Sequence, residues 1–297
     1  MENKKTLGLF LFQFFAIGLT ACSINTTQPQ RLSAQDVENL GKRCEDIARL
    51  QVETWDTRDA ENLREIYTED IVHFDNHPAY VGIDEVLVMA RMMFNSFSKW
   101  QMELGDTYIS KEKCVGTWVS WDVLGFTQDN PGLEFDLLET QDNKISFWRL
   151  FYDENFGWTP IDYELLAKYE KSWSQNDESA LLAIYSENAT VEDTLFGVTT
   201  LGHQEIADYA KNIFALSREA GWKLIIPFAE GRAKYPYSDE YPFPSTGGVF
   251  GINIKKTDGT VCEIRVVVIL TPNENGKIQA QETFYDANTL IECGWAR

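Results

Sequence analysis

The chain has 297 residues, with 26 Lys and Arg against 46 Asp and Glu, a formal net charge of −20. That length suits two domains of ordinary size, and with 44% hydrophobic and 13% aromatic residues the chain can fill real cores, which excludes wholesale disorder. Phosphate binding needs clustered Lys and Arg, so no nucleic acid is expected as a partner.

The first element is an N-terminal targeting segment. Lys4 and Lys5 precede an apolar run from Leu7 to Leu19, too short for a spanning helix but suited to a signal peptide. The run ends in Leu19-Thr20-Ala21-Cys22, which resembles the lipobox of bacterial lipoproteins. That resemblance implies removal of residues 1–21, an acyl-anchored Cys22 in the lipid membrane, and, with Ser23 next, sorting to the outer membrane facing the periplasm. Residues 22–35 are polar and read as a tether. Cys44, Cys114, Cys262 and Cys293 have no metal-like spacing. An oxidising envelope permits disulfides among them, but three pairings, or free thiols, all remain open.

Past the tether, Val37, Leu40, Cys44, Ile47 and Trp55 share one face at helical spacing, and Ser33-x-x-Asp36 reads as the cap. A second helix carries Leu63, Ile66 and Tyr67, a short strand ends at Asp75, and a third helix starts near Ile83. In the second half, Thr159-Pro160-x-Asp162 opens a helix with Pro at its favoured first position. Leu181, Ile184 and Tyr185 lie on the next, a strand ends at Asp193, and a further helix starts near His203. Strands follow at residues 223–232, 249–255, 261–270 and 278–285, with Asp258-Gly259 and Asn275-Gly276 as turns.

The two halves repeat one another. Trp55, Asp59, Leu63, Ile66, Tyr67 and Glu69 recur as Trp173, Asp177, Leu181, Ile184, Tyr185 and Glu187, and Asp75 as Asp193. Gly82-x2-Glu85 recurs as Gly202-x2-Glu205, and Phe151-Tyr152-Asp153 as Phe284-Tyr285-Asp286. Offsets that only grow mean one fold used twice with insertions. Much of the extra length lies in the Pro-rich stretch 235–248. Helices followed by a meander make an α+β fold in which a curved sheet and its helices enclose a hollow suited to a small apolar molecule.

The element order and the run from Ile184 to Asp193 resemble the NTF2-like superfamily, most closely SnoaL-like polyketide cyclases and ketosteroid isomerases. The likeness spans residues 36–156 and 160–290. It implies two tandem cone-shaped domains, residues 36–158 and 159–297, each with three helices packed on a curved, mainly antiparallel sheet. It also implies pairing through the outer face of the sheet, within the chain or as a homodimer. Carried over residue by residue, the family's base falls on Asp193, its oxyanion Tyr on Tyr169, a supporting Tyr on Tyr185, and its second oxyanion donor on Val268, which cannot donate. In the first half the base position is Asp75, the oxyanion Tyr is replaced by Gln51, and the third position falls on Asp136, or on Phe135 if the turn is one residue longer. Neither half carries the full set.

Read without the family, Gln51 and Tyr169 are polar groups on apolar helix stripes. Tyr169 is either a core ring with a satisfied hydroxyl or a donor into a cavity. Asp193 is either a desolvated base or a strand-end cap. His73-x-Asp75-x-His77 could converge on one strand face, but Pro78 bends the chain, and no metal or other cofactor is expected. On the run Trp118 to Asp122, Trp118, Ser120 and Asp122 face one way, either as a wall of a ligand pocket or as core. The reading is an envelope lipoprotein that binds a small apolar molecule, with Asp-based proton transfer of isomerase or cyclase type in the second half. The alternative is a non-catalytic interaction module.

Overall fold

The computed structural model describes residues 32–74, 79–156, 161–216, 221–230, 245–256 and 258–295. The proposed signal peptide, Cys22, most of the tether, Asp75, His77 and residues 235–244 of the Pro-rich stretch lie outside them. Among the described residues no helix is long and apolar enough to cross a membrane.

Helix α1 (Ala34–Asp56) starts at the expected capping box: the Asp36 amide donates to Ser33 Oγ at 3.1 Å, and the Ser33 amide donates back to Asp36 Oδ2 at 3.3 Å. Helix α2 (Leu63–Ile66) is a single turn, followed by strands β1 (Tyr67–Phe74) and β2 (Tyr80–Val81), helix α3 (Ile83–Ser96), and strands β3 (Gln101–Ile109), β4 (Lys113–Trp121), β5 (Gly132–Gln141) and β6 (Lys144–Asp153). The same order returns. Helices α4 (Tyr163–Ser174) and α5 (Glu178–Ile184) lead to strands β7 (Tyr185–Asp193) and β8 (Val198–Leu201). Helix α6 (Gly202–Leu216) follows, then strands β9 (Trp222–Glu230), β10 (Thr246–Lys255), β11 (Val261–Pro272) and β12 (Ile278–Tyr285). A last helix, α7 (Ala287–Glu292), was not anticipated from the sequence.

Three local expectations need correction. Helix α4 is capped by the Asp162 side chain, which accepts from the Leu165 amide at 2.9 Å, so Tyr163 and not Pro160 is its first residue. Tyr67 and Tyr185 open strands rather than sitting on helices. Short strands β2 and β8 precede α3 and α6. The repeated glycines between them have a shared cause. Gly82 and Gly202 have φ of +87° and +80°, and a Cβ there would stand 3.5 and 3.0 Å from the carbonyls of Glu69 and Glu187, a place only glycine occupies without strain.

Within each half the strands pair antiparallel, except that β1 runs parallel to β6 and β7 parallel to β12. The halves then join at both sides. β6 pairs with β9 through Phe151–Glu230, Tyr152–Ala229 and Asp153–Phe228, and β12 pairs with β3 through Tyr285–Ile109. The eight strands β3–β6 and β9–β12 thus close a ring. One apolar cluster takes a residue from each of them: Tyr108, Val115, Phe135, Phe151, Phe228, Val249, Val267 and Phe284 all belong to it. Side chains alternate across a strand, so the opposite face of each sheet turns toward the helices and the larger core. Two disulfides pin helices to strands: Cys44–Cys114 ties α1 to β4, and Cys262–Cys293 ties β11 to the end of α7, with Cα separations of 5.5 and 5.6 Å.

Candidate functional site

Register decides which residues share a place in the two halves. Phe151 pairs with Phe135, and Phe284 with Val267. The next rungs are Asp136–Leu150 and Val268–Thr283. Asp136 and Val268 therefore hold matching positions facing the helices, while Phe135 faces the cluster inside the ring. Of the two alternatives for the third position, Asp136 is the one turned toward Gln51.

In the second half, Asp193 ends β7 with its carboxyl fully buried. Its Oδ2 accepts two hydrogen bonds, from Tyr285 on β12 at 2.7 Å and from Tyr209 on α6 at 2.9 Å. Its Oδ1 has no hydrogen-bond partner. Burial pushes this carboxyl up to about 6, against the downward pull of the two tyrosines and the nearby Phe196 amide. A carboxylate in that range can both hold and release a proton near neutrality.

Tyr169 on α4 is buried among Trp173, Trp222 and Phe250, with ring centroids 5.9, 6.0 and 5.5 Å away. Its hydroxyl sits near Trp173 and Gln281 without a well-formed hydrogen bond to either. Burial first, and then the fields of Tyr185 and Asp193, hold its hydroxyl well above the usual tyrosine value. The indole nitrogens of Trp173 and Trp222 are also buried without partners. Tyr185 does not support Tyr169, contrary to the resemblance: its hydroxyl donates to Gln281 Oε1, and Gln281 Nε2 donates to Thr283 Oγ1 at 3.0 Å. Val268 is plain core. Sequence reasoning missed Tyr209 and Tyr285 as carboxylate donors. The available signal was Tyr285 standing two and four residues beyond Thr283 and Gln281 on one strand face.

In the first half, Gln51 Nε2 donates to Asp136 Oδ2 at 3.3 Å, with both side chains fully buried. Trp55 Nε1 donates to the Tyr67 hydroxyl at 3.0 Å. Trp118 and Ser120 face this interior, and Trp118 Nε1, Ser120 Oγ and Gln51 Oε1 have no hydrogen-bond partners. Asp122 does not join them. It leaves the strand in the left-handed region at φ 57° and is exposed, because the chain turns after Trp121. His73 is buried between Tyr80 and Trp148, with ring centroids 5.7 and 3.8 Å away. Among the described residues no three His, Cys, Asp or Glu side chains are grouped to hold a metal ion.

Where a hollow is expected beneath the helices, aromatic rings pack around Tyr169 and around Trp148, and two cavities found among the described residues are lined by none of Tyr169, Asp193 and Asp136. The larger one, about 330 Å³, opens between the two sheets.

Comparison with known proteins bears on the first half. Residues 48–148 match the model of the SnoaL-like domain. No curated protein matches the chain. Among solved structures, the epoxide hydrolase/cyclase-like enzyme SalBIII, which has a role in pyran ring formation in the polyether salinomycin, is 21% identical. The match covers 41% of this chain and 88% of that one, at a TM-score of 0.32. Over residues 48–148 the chain is thus similar to SnoaL-like domains.

Proposed function

We propose that the chain is an envelope lipoprotein built of two SnoaL-like domains, residues 36–158 and 159–297, anchored through an acylated Cys22. Its second domain binds a small, flat apolar molecule and moves a proton with Asp193. The observation that carries this reading is the Asp193 carboxyl: buried, held from one side by two tyrosines, with its other oxygen unpartnered and its pKa raised to about 6. A buried polar atom left without a partner costs about 1–3 kcal/mol. A ligand group that meets Asp193 Oδ1 and the Tyr169 hydroxyl recovers that cost. In the proposed step Oδ1 takes a proton from a carbon next to a carbonyl, and the electron pair moves onto the carbonyl oxygen, which Tyr169 steadies. The two disulfides support export to an oxidising compartment.

The ring packing around Tyr169 favours a second reading, a non-catalytic interaction module in the same envelope. A ligand must displace aromatic rings to enter, and a module need admit nothing. Titration of the whole chain with 2-naphthol, a flat molecule with one hydroxyl to donate to Asp193, separates them. Binding read by tryptophan fluorescence, weakened at least about tenfold by Asp193→Asn, supports the first reading. No saturable quenching leaves the second. For the anchor, Cys22→Ser is expected to release the protein from the membrane fraction.

A further inference from the structure

The cavity between the two sheets belongs to neither interior, and its lining has a chemistry of its own. Four carboxylates face it, those of Glu139, Glu192, Glu230 and Glu282, against two cations, Lys113 and Arg149. Arg149 is committed to Glu230 through two parallel bonds of 2.9 and 2.8 Å, with Ser245 Oγ accepting a third at 2.6 Å. Lys113 stands where carboxylates from three strands meet: Glu282 at 2.5 Å, and Glu139 and Glu192 at 3.5 Å each. The cleft thus already seats one ammonium and keeps an excess of negative charge after its own cations are paired. The rest of its wall combines Phe74, Leu137, Phe147 and Ala280 with the polar Thr190, Thr271 and Gln281. Phe74 and Phe147 lie 5.5 Å apart between ring centroids, and Leu137 is beside them in the lining. Carboxylates next to phenyl faces are the surroundings that favour an ammonium carried on hydrocarbon.

We propose that this inter-sheet cleft binds a linear aliphatic polyamine, its ammonium groups at the rim carboxylates Glu139 and Glu192 and its methylenes along Phe74, Leu137 and Phe147. A single metal ion does not suit the site, because no three carboxylates or imidazoles among the described residues are grouped as ligands. An anion meets uncompensated like charge. A volume of about 330 Å³ lies in the range of small-molecule sites, and the chain's net charge of −20 draws cations toward it. The proposal stands apart from the Asp193 reading and does not depend on it.

Calorimetric titration of the full chain with spermidine at fixed ionic strength tests it. One saturable site is expected. Glu139→Gln and Glu192→Gln are each expected to weaken binding at least about fivefold. Both carboxylates are roughly half exposed, at 41% and 42%, so these variants keep the fold. Glu53→Gln, an exposed site on α1 away from the cleft, is expected to bind like the parent. Lys113→Ala, which frees acceptors and removes a competing ammonium, is expected to tighten binding. No saturable site, equal loss in Glu53→Gln, or parent-like affinity in both rim variants overturns the proposal.

Discussion

At the scale of single residues, the proposed chemistry turns on Asp193. Burial holds its carboxyl protonated up to about pH 6 in the folded chain, against 3.8 for a solvated aspartate. The folded state therefore binds more protons than the unfolded state between those values. Its contribution to stability is fully present below the lower value and is lost as pH rises through about 6. Asp193→Asn removes that loss. The variant is expected to exceed the parent in stability at pH 8 by up to about 3 kcal/mol, with the difference closing as the pH falls toward about 4. Urea unfolding at the two pH values measures this, and a variant less stable than the parent at pH 8 contradicts it. The placement of Asp193 at a strand end and of Tyr169 on a helix stripe was legible because both are local patterns, while their roles came from the family resemblance. Tyr209 was not legible, because its bond to Asp193 depends on how α6 packs over β7. Tyr185 was assigned the wrong partner for a similar reason: only the placement of β12 brings Gln281 within its reach.

At the scale of elements, periodicity located the long helices and the last four strands, and β12 was bounded as expected. Elements of a few residues escaped. A four-residue helix such as α2 and a two-residue strand such as β2 carry no periodic signal. Helix α7 shows what such a short element needs. Six residues do not hold a helix alone. This one is capped by Asp286, which accepts from the Asn288 and Thr289 amides at 2.8 and 3.2 Å, and is tied to β11 by Cys262–Cys293. A Cys262→Ser/Cys293→Ser double variant is expected to lose about 2–4 kcal/mol. Hydrogen exchange should speed up across residues 287–293 while α1, still held by Cys44–Cys114, keeps its protection. Unchanged exchange there would show that the Asp286 cap and the packing of Leu290 secure the helix without the disulfide.

At the scale of the whole molecule, the eight-stranded ring makes one body of two halves. Phe228 of the second half stacks on Phe135 of the first at 4.2 Å and meets Phe151 edge-on at 5.6 Å. Phe228→Ala is expected to cost about 3–5 kcal/mol, and calorimetry should record one unfolding transition for the parent and for the variant. Two separated transitions contradict a shared core. Pairing of the halves through the outer face of the sheet was an expectation of the family resemblance. The cleft at their junction was not, since Lys113 and Glu282 are brought together only by the facing of one sheet on the other. The central claim is that Asp193 is a working base inside the second half. It is tested most directly by Kemp elimination of 5-nitrobenzisoxazole, a flat apolar probe whose ring opens when a desolvated carboxylate takes its C3 proton and the N–O bond breaks. The full chain is expected to turn it over with a rate that rises with pH to half its plateau near 6, and Asp193→Asn to lose at least about 100-fold. A parent rate no greater than that of free acetate at equal concentration, or an undiminished Asp193→Asn, contradicts the claim.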